Sequence, residues 1–175
     1  MADITAGRLE VDKNSVGGLI AVYFVNNGDM TGVDYNAINT DVIETVTGTP
    51  SAFKYELKGA NSLDQTIVSS RENGTTFYEQ NLKLQLKKLT QKDHKELKLL
   101  TYGMPKVIVE DNNNNFFLCG LKRGMEVTGG TIVTGTNLGD LSGYTLELKG
   151  EEPIAANFID STTLSGAGFT VVVGT

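Results

Sequence analysis

The chain has no tryptophan, one cysteine, one histidine and three prolines. Nor does any apolar run approach the ~18 residues of a membrane span. Each scarcity removes a class of function or counts against one. Cys119 alone cannot form an intramolecular disulfide or a cysteine-built metal site. Adding His94 still leaves too few of the usual ligands for zinc. Aromatic residues are 7% of the chain, which counts weakly against the stacking platforms that recognise sugars or bases. An excess of basic charge is also missing: the net charge is −6, so sequence-independent binding to the outside of a nucleic acid is not expected. Met1 to Thr5 has neither the basic nor the apolar region of a signal peptide, so synthesis in the cytoplasm is expected. Without such a signal, Asn73-Gly74-Thr75 reads as a turn and not as a glycosylation site.

What is present is alternation. Leu82 to Lys87, Phe53 to Lys58 and Tyr144 to Lys149 each place apolar and polar residues in strict turn. Successive strand side chains point to opposite faces, so each segment offers one face to a core and one to water. Leu82, Leu84 and Leu86 are expected inside, with Lys83, Gln85 and Lys87 pointing away. The run Leu19 to Val25 is apolar throughout, as in a strand buried on both faces. Asn26 to Asp29 is expected to close it with a turn in which Asn and Gly take positive φ. A chain of 175 residues with 20 glycines suits one all-β domain rich in tight turns. Residues 1–175 are therefore read as one domain, with 156–175 available as an extended C-terminal arm or, at Phe169 to Val173, a last strand.

Turn residues divide the rest. Asn73-Gly74 between Asp64–Ser70 and a long arm from Thr75 to Leu89 predicts a type I′ hairpin, and an arm that long is expected to bend or project. Asp111 and Asn112 to Asn115 join Lys106–Glu110 to Phe116–Leu121 in a second hairpin; clustered oxygens there raise a weaker calcium reading. Gly129-Gly130 is expected as a two-residue turn between Met125–Thr128 and Thr131–Gly135, and residues 135–143 as a loop. One helix interrupts the pattern. Thr90 is its N-cap with Asp93 three residues on, Leu97 and Leu100 form its apolar side, Lys92, Lys95 and Lys98 face solvent, and Gly103 with Pro105 ends it.

Chemistry is not visible. His94 lies at the edge of the helix's apolar side without a carboxylate or nucleophile arranged beside it. Gly17-Gly18 and Gly124 to Gly130 do not match a phosphate-binding loop. Glu151 and Glu152 are adjacent, so on a strand they point apart and make a poor acid–base pair; a solvated strand end is expected. No catalytic residue, cofactor or metal is assigned. Charge is uneven instead. From Leu82 to Lys106 seven lysines stand against Asp93 and Glu96, a net +5, so the remainder carries −11. Two complementary surfaces on one molecule suit a head-to-tail contact between copies, with Lys83, Lys87, Lys88, Lys92, Lys95 and Lys98 as candidate interface residues.

Four segments together, GGLIAVYFVNNGD, ENGTTFYEQNLKLQLKKL with the helix after it, VIVEDNNNNFFLCGLKRGMEVTGG and GDLSGYTLELKGEEP, resemble virion structural proteins of tailed bacteriophages. The similarity covers roughly residues 15–155. It is to tail-tube-like proteins and related neck rings below the portal, including those of crAss-like phages. The resemblance implies a mainly β fold, an antiparallel sandwich or partial barrel with one flanking helix. It implies copies joined in a hexameric or dodecameric ring, contacting adjacent tail, neck or portal proteins. DNA would pass through the lumen without tight binding, and no membrane would be involved. The polar segment 29–41 departs from the family, being shorter than the extended loop by which tube proteins reach the next ring. A capsid decoration or tail-completion protein, and a β-sandwich module binding carbohydrate or a receptor, are the alternatives.

Overall fold

The computed structural model describes residues 3–160 and 162–174. In chain order the elements are β1 Leu19–Val25, β2 Met30–Tyr35, β3 Val42–Gly48, β4 Ser51–Glu56, β5 Ser62–Ser70 and β6 Thr75–Lys87. There follow α1 Gln91–Tyr102, β7 Lys106–Asp111, β8 Phe116–Cys119, β9 Glu126–Val133, β10 Gly143–Glu152, β11 Asn157–Ile159 and β12 Thr170–Val173. They form two sheets. The larger has the order β12-β4-β1-β7-β8-β11-β3-β2, and the smaller β5-β6-β10-β9. Among the described residues the fold is thus mainly β, two packed sheets with a single helix beside them, as the alternation and the capped segment after Thr90 predict. Pairing is antiparallel except at two places, where β11 runs parallel to β3 and β12 parallel to β4.

Period-two side-chain geometry sorts the interior into two cores. Val22 and Phe24 of β1, Val107 and Val109 of β7, and Cys119 face the smaller sheet, where Leu82, Leu84, Leu146 and Leu148 meet them. The intervening residues, Ala21, Tyr23, Val25, Ile108 and Leu118, face the other way and pack with Ile43, Val46, Leu164 and Phe169. β1 and β7 therefore have a core on each face, which is why their sequences read as unbroken apolar runs. β6 has one core only. Leu82 and Leu84 are buried, Leu86 is half-buried against the same cluster, and Lys83 and Lys87 are exposed.

The helix forms as its sequence directs. Thr90 Oγ1 accepts the Asp93 N–H at 3.1 Å and the Thr90 hydroxyl donates to the Asp93 carboxylate at 2.5 Å. Leu97 is buried, and Leu100 packs against the same core. Gly103 ends the helix in extended backbone, φ −98°, and not in a left-handed cap.

Five expectations change. The turn after β1 uses no positive φ at all. In the β5–β6 hairpin only Gly74 is left-handed, φ 62°, so the loop spans Arg71 to Gly74 instead of closing at a two-residue type I′ turn. Gly129-Gly130 is no turn: both lie inside β9, beside a register shift against β10. Glycines within a strand mark a bulge or a close backbone approach, and at Gly130 an added Cβ would stand 2.3 Å from the Thr145 carbonyl oxygen. Glu152 is buried, not solvated (see below). The stretch 156–175, available as an extended arm, instead supplies β11 and β12 to the chain's own sheet. Between these strands Leu164, Ala167 and Phe169 are buried.

Candidate interaction surfaces

The six lysines singled out from sequence do not form one patch. Lys83 and Lys87 project from the outer face of the smaller sheet, and Lys88 follows them at the strand end in a left-handed conformation, φ 69°. Lys92, Lys95 and Lys98 line the exposed side of α1, which packs by Leu97 and Leu100 against the core on the sheet's inner face. Lys106, the seventh lysine of the basic segment, is buried and hydrogen-bonded through Nζ to the Asn27 side-chain oxygen. Burial pulls its pKa below the ordinary lysine value, against the opposing charge of Glu152. The surface charge of Leu82 to Lys106 is accordingly smaller than the sequence count suggests.

Pairing register brings charged residues of four strands onto the outer face of the smaller sheet. Asp64 stands across from Asn81, Glu147 across from Lys83, and Lys149 between Glu79's neighbour Asn81 and Glu126. Lys149 bridges Glu79 at 3.0 Å and Glu151 at 3.1 Å. Hydrogen bonds from Asn81 and Lys149 lower the Glu79 pKa. Asp64, Glu79, Glu126, Glu147 and Glu151 share this face with Lys83, Lys87 and Lys149, so it leans acidic. β6 beyond Tyr78 pairs only with β5, and the hairpin projects past β10 with Ile67 66% exposed.

A groove of about 440 Å³ runs between α1 and β9. Leu97, Val127, Ile132 and Leu146 give it apolar walls; its basic lining groups are Lys98 and His94. His94 is exposed, with its ring 6.3 Å from that of Tyr144, and the Tyr144 hydroxyl donates to the Thr90 carbonyl. The tight approach of Gly130 to β10, and the lack of side chains at Gly129-Gly130, keep this wall low.

Buried polar groups serve the scaffold. Glu152 Oε1 accepts the backbone N–H groups of Lys122 and Arg123 at 3.1 and 2.7 Å, and Gln80 Oε1 accepts that of Gly120 at 2.9 Å. The smaller sheet thereby holds the turn leading from β8 to β9. Cys119 beside it is fully buried, and burial together with the Glu152 charge pushes its thiol up to about 12, so it is not a nucleophile. The Asp111 carboxylate accepts from the backbone N–H of Asn113 and Asn115, both at 2.8 Å, and from their side-chain amides. Donors surround it, the reverse of a cation's oxygen shell. Among the described residues no three His, Cys, Asp or Glu gather as a metal site, and no helix is long and apolar enough to cross a membrane.

Sequence reasoning passed over residues 3–17. They form neither helix nor strand and are exposed throughout, with Ile4 95%, Leu9 88% and Val11 60% exposed. Their root is fixed: Asn113 exchanges hydrogen bonds of 2.9 Å with the backbone N–H and C=O of Val16, and the Asn112 amide donates to the Gly17 carbonyl at 2.6 Å. The asparagine run thus does more than turn a hairpin. The alternation Arg8-Leu9-Glu10-Val11-Asp12 was legible all along, but with nothing in sequence to say what it pairs with. No protein-family model, curated protein or solved structure matches the chain.

Proposed function

We propose that the chain is a structural protein of a tailed-bacteriophage virion, oligomerising into a ring or tube of the tail or neck that forms part of the DNA conduit. One observation carries the reading: the four-stranded sheet is open at both edges, β5 on one side and β9 on the other. Different edges cannot satisfy each other within one molecule. Covering an edge of each copy with a segment of the next is a head-to-tail contact, and such contacts close into rings when the rotation permits. Edge strands left bare are otherwise an aggregation hazard. The resemblance noted in the sequence favours the same reading and supplies its setting: six- or twelve-fold rings against adjacent tail, neck or portal proteins.

In this assembly the outer face of the smaller sheet lines the lumen, so Lys83 and Lys87, which project from it among more numerous carboxylates, lie in the lumen and not at the contact between copies. Its acidic balance suits a conduit, because lysines or arginines that engaged phosphates would hold the genome by counterion release. The exposed lysines of α1 then lie at contacts between copies or on the outer wall. The reading is non-enzymatic and uses no cofactor. Light scattering behind size-exclusion chromatography, with electron microscopy of the peak, tests it. Closed rings or tubes are expected; a chain that stays monomeric as its concentration rises overturns it.

A further inference from the structure

We infer that residues 8–12 of one copy lie extended along β9 of a second copy, in the groove between β9 and α1. The inference rests on the copy-to-copy association proposed above and identifies the segment that makes it. Three observations point to this occupant. Leu9 and Val11 are two residues apart in an exposed segment that is neither helix nor strand, so when it is laid out as a strand both fall on one side, with Glu10 and Asp12 on the other. The groove matches the apolar side of the segment: its walls are apolar at Leu97, Ile132 and Leu146, and no carboxylate is among the lining residues. Finally, β9 is the edge strand of its sheet, so its outward N–H and C=O groups are available to an added extended segment.

The arm is held at its root by Asn112 and Asn113, leaving the residues before Val16 to reach away from a defined point. Leu9 and Val11 then cover Ile132, which is 61% exposed in the single copy. Glu10 and Asp12 point away from the groove, toward the outer face of the sheet. Such a contact joins unlike surfaces, the arm of one copy and the groove of the next, and so propagates from copy to copy.

Two full-length variants, Val11→Cys and Ile132→Cys, test this when they are made separately, mixed and mildly oxidised. Cys119 is fully buried and does not compete. A covalent heterodimer is expected from the mixture and from neither variant alone, and adding Leu9→Asp to the Val11→Cys chain should reduce its yield at least several-fold. A link that forms only within a single chain carrying both cysteines would show the arm folding onto its own groove and overturn the inference. So would the absence of any link. Light scattering of the unmodified protein separates this from the ring reading: an assembling protein without the cross-link sinks the arm alone, whereas a cross-link without closed rings or tubes sinks the ring alone.

Discussion

Single side chains set the most local of these features, and two neighbouring glycines show how finely. A Cβ at Gly130 would meet the Thr145 carbonyl oxygen at 2.3 Å, whereas at Gly129 the nearest atom is a Glu147 carboxylate oxygen at 3.7 Å. Gly130→Ala is therefore expected to cost about 1–3 kcal/mol through forced backbone shifts, and Gly129→Ala to stay within about 0.5 kcal/mol of the parent. Urea unfolding of the pair checks it; equal effects would contradict the placement of β9. Leu84, 1% exposed between the sheets, makes a plainer case. Leu84→Ala should lose about 2–5 kcal/mol by leaving a cavity, and unchanged thermal stability would remove β6 from the core.

At the scale of elements, hydrogen bonds close the turns that strand pairing leaves open. Burial alone would raise the Asp111 pKa, but the N–H groups of Asn115 and Asn113 outweigh it and hold the group below the ordinary carboxylate value. A depressed folded pKa means stability that is present above the unfolded value of about 3.9 and lost as pH falls through the lower folded value. Asp111→Asn should accordingly melt earlier than the parent at neutral pH, with the difference shrinking as acid protonates the parent's carboxylate. Melting curves taken from about pH 6 to about pH 2 read this out, and a constant difference would refute it. The helix depends on its start in the same way. Thr90→Ala removes the acceptor for the Asp93 N–H and should cost about 1 kcal/mol, seen as a lower urea midpoint.

For the whole molecule, charge bears on the proposed assembly and on what would pass through it. There the α1 lysines and the acidic remainder of the chain would make the contact electrostatic in part. Raising salt from about 0.1 M to about 1 M shortens screening from ~10 Å to ~3 Å, so assembly measured by light scattering should weaken across that range. Indifference to salt would leave apolar and backbone contacts as the sole cement. The same balance predicts little retention of DNA. Fluorescence anisotropy with duplex DNA at about 0.15 M salt should show no tight binding, and saturable binding there would rule out the acidic face as a passage.

Much of the architecture was written locally. Alternation at Leu82 to Lys87, the apolar run of Leu19 to Val25, the Thr90 cap and the Asn-Gly and Asp-Asn hairpins each state a conformation, because side-chain period and backbone preference act within a few residues. What a strand lies against is another matter. Nothing near Gly129-Gly130 says that β10 will hold them in a strand, and nothing near Glu152 says that the N–H groups of Lys122 and Arg123 will bind its Oε1 in the interior. Nor do residues 157–159 announce a place between β8 and β3. The exposed arm, its root on Asn112 and Asn113 and the groove along β9 likewise exist only once distant segments are brought together. Sequence by itself determined the strongly patterned elements and which of their faces seek burial. The tertiary structure decided their neighbours, since hydrophobic burial is non-directional and only long-range packing selects among the partners that would satisfy it.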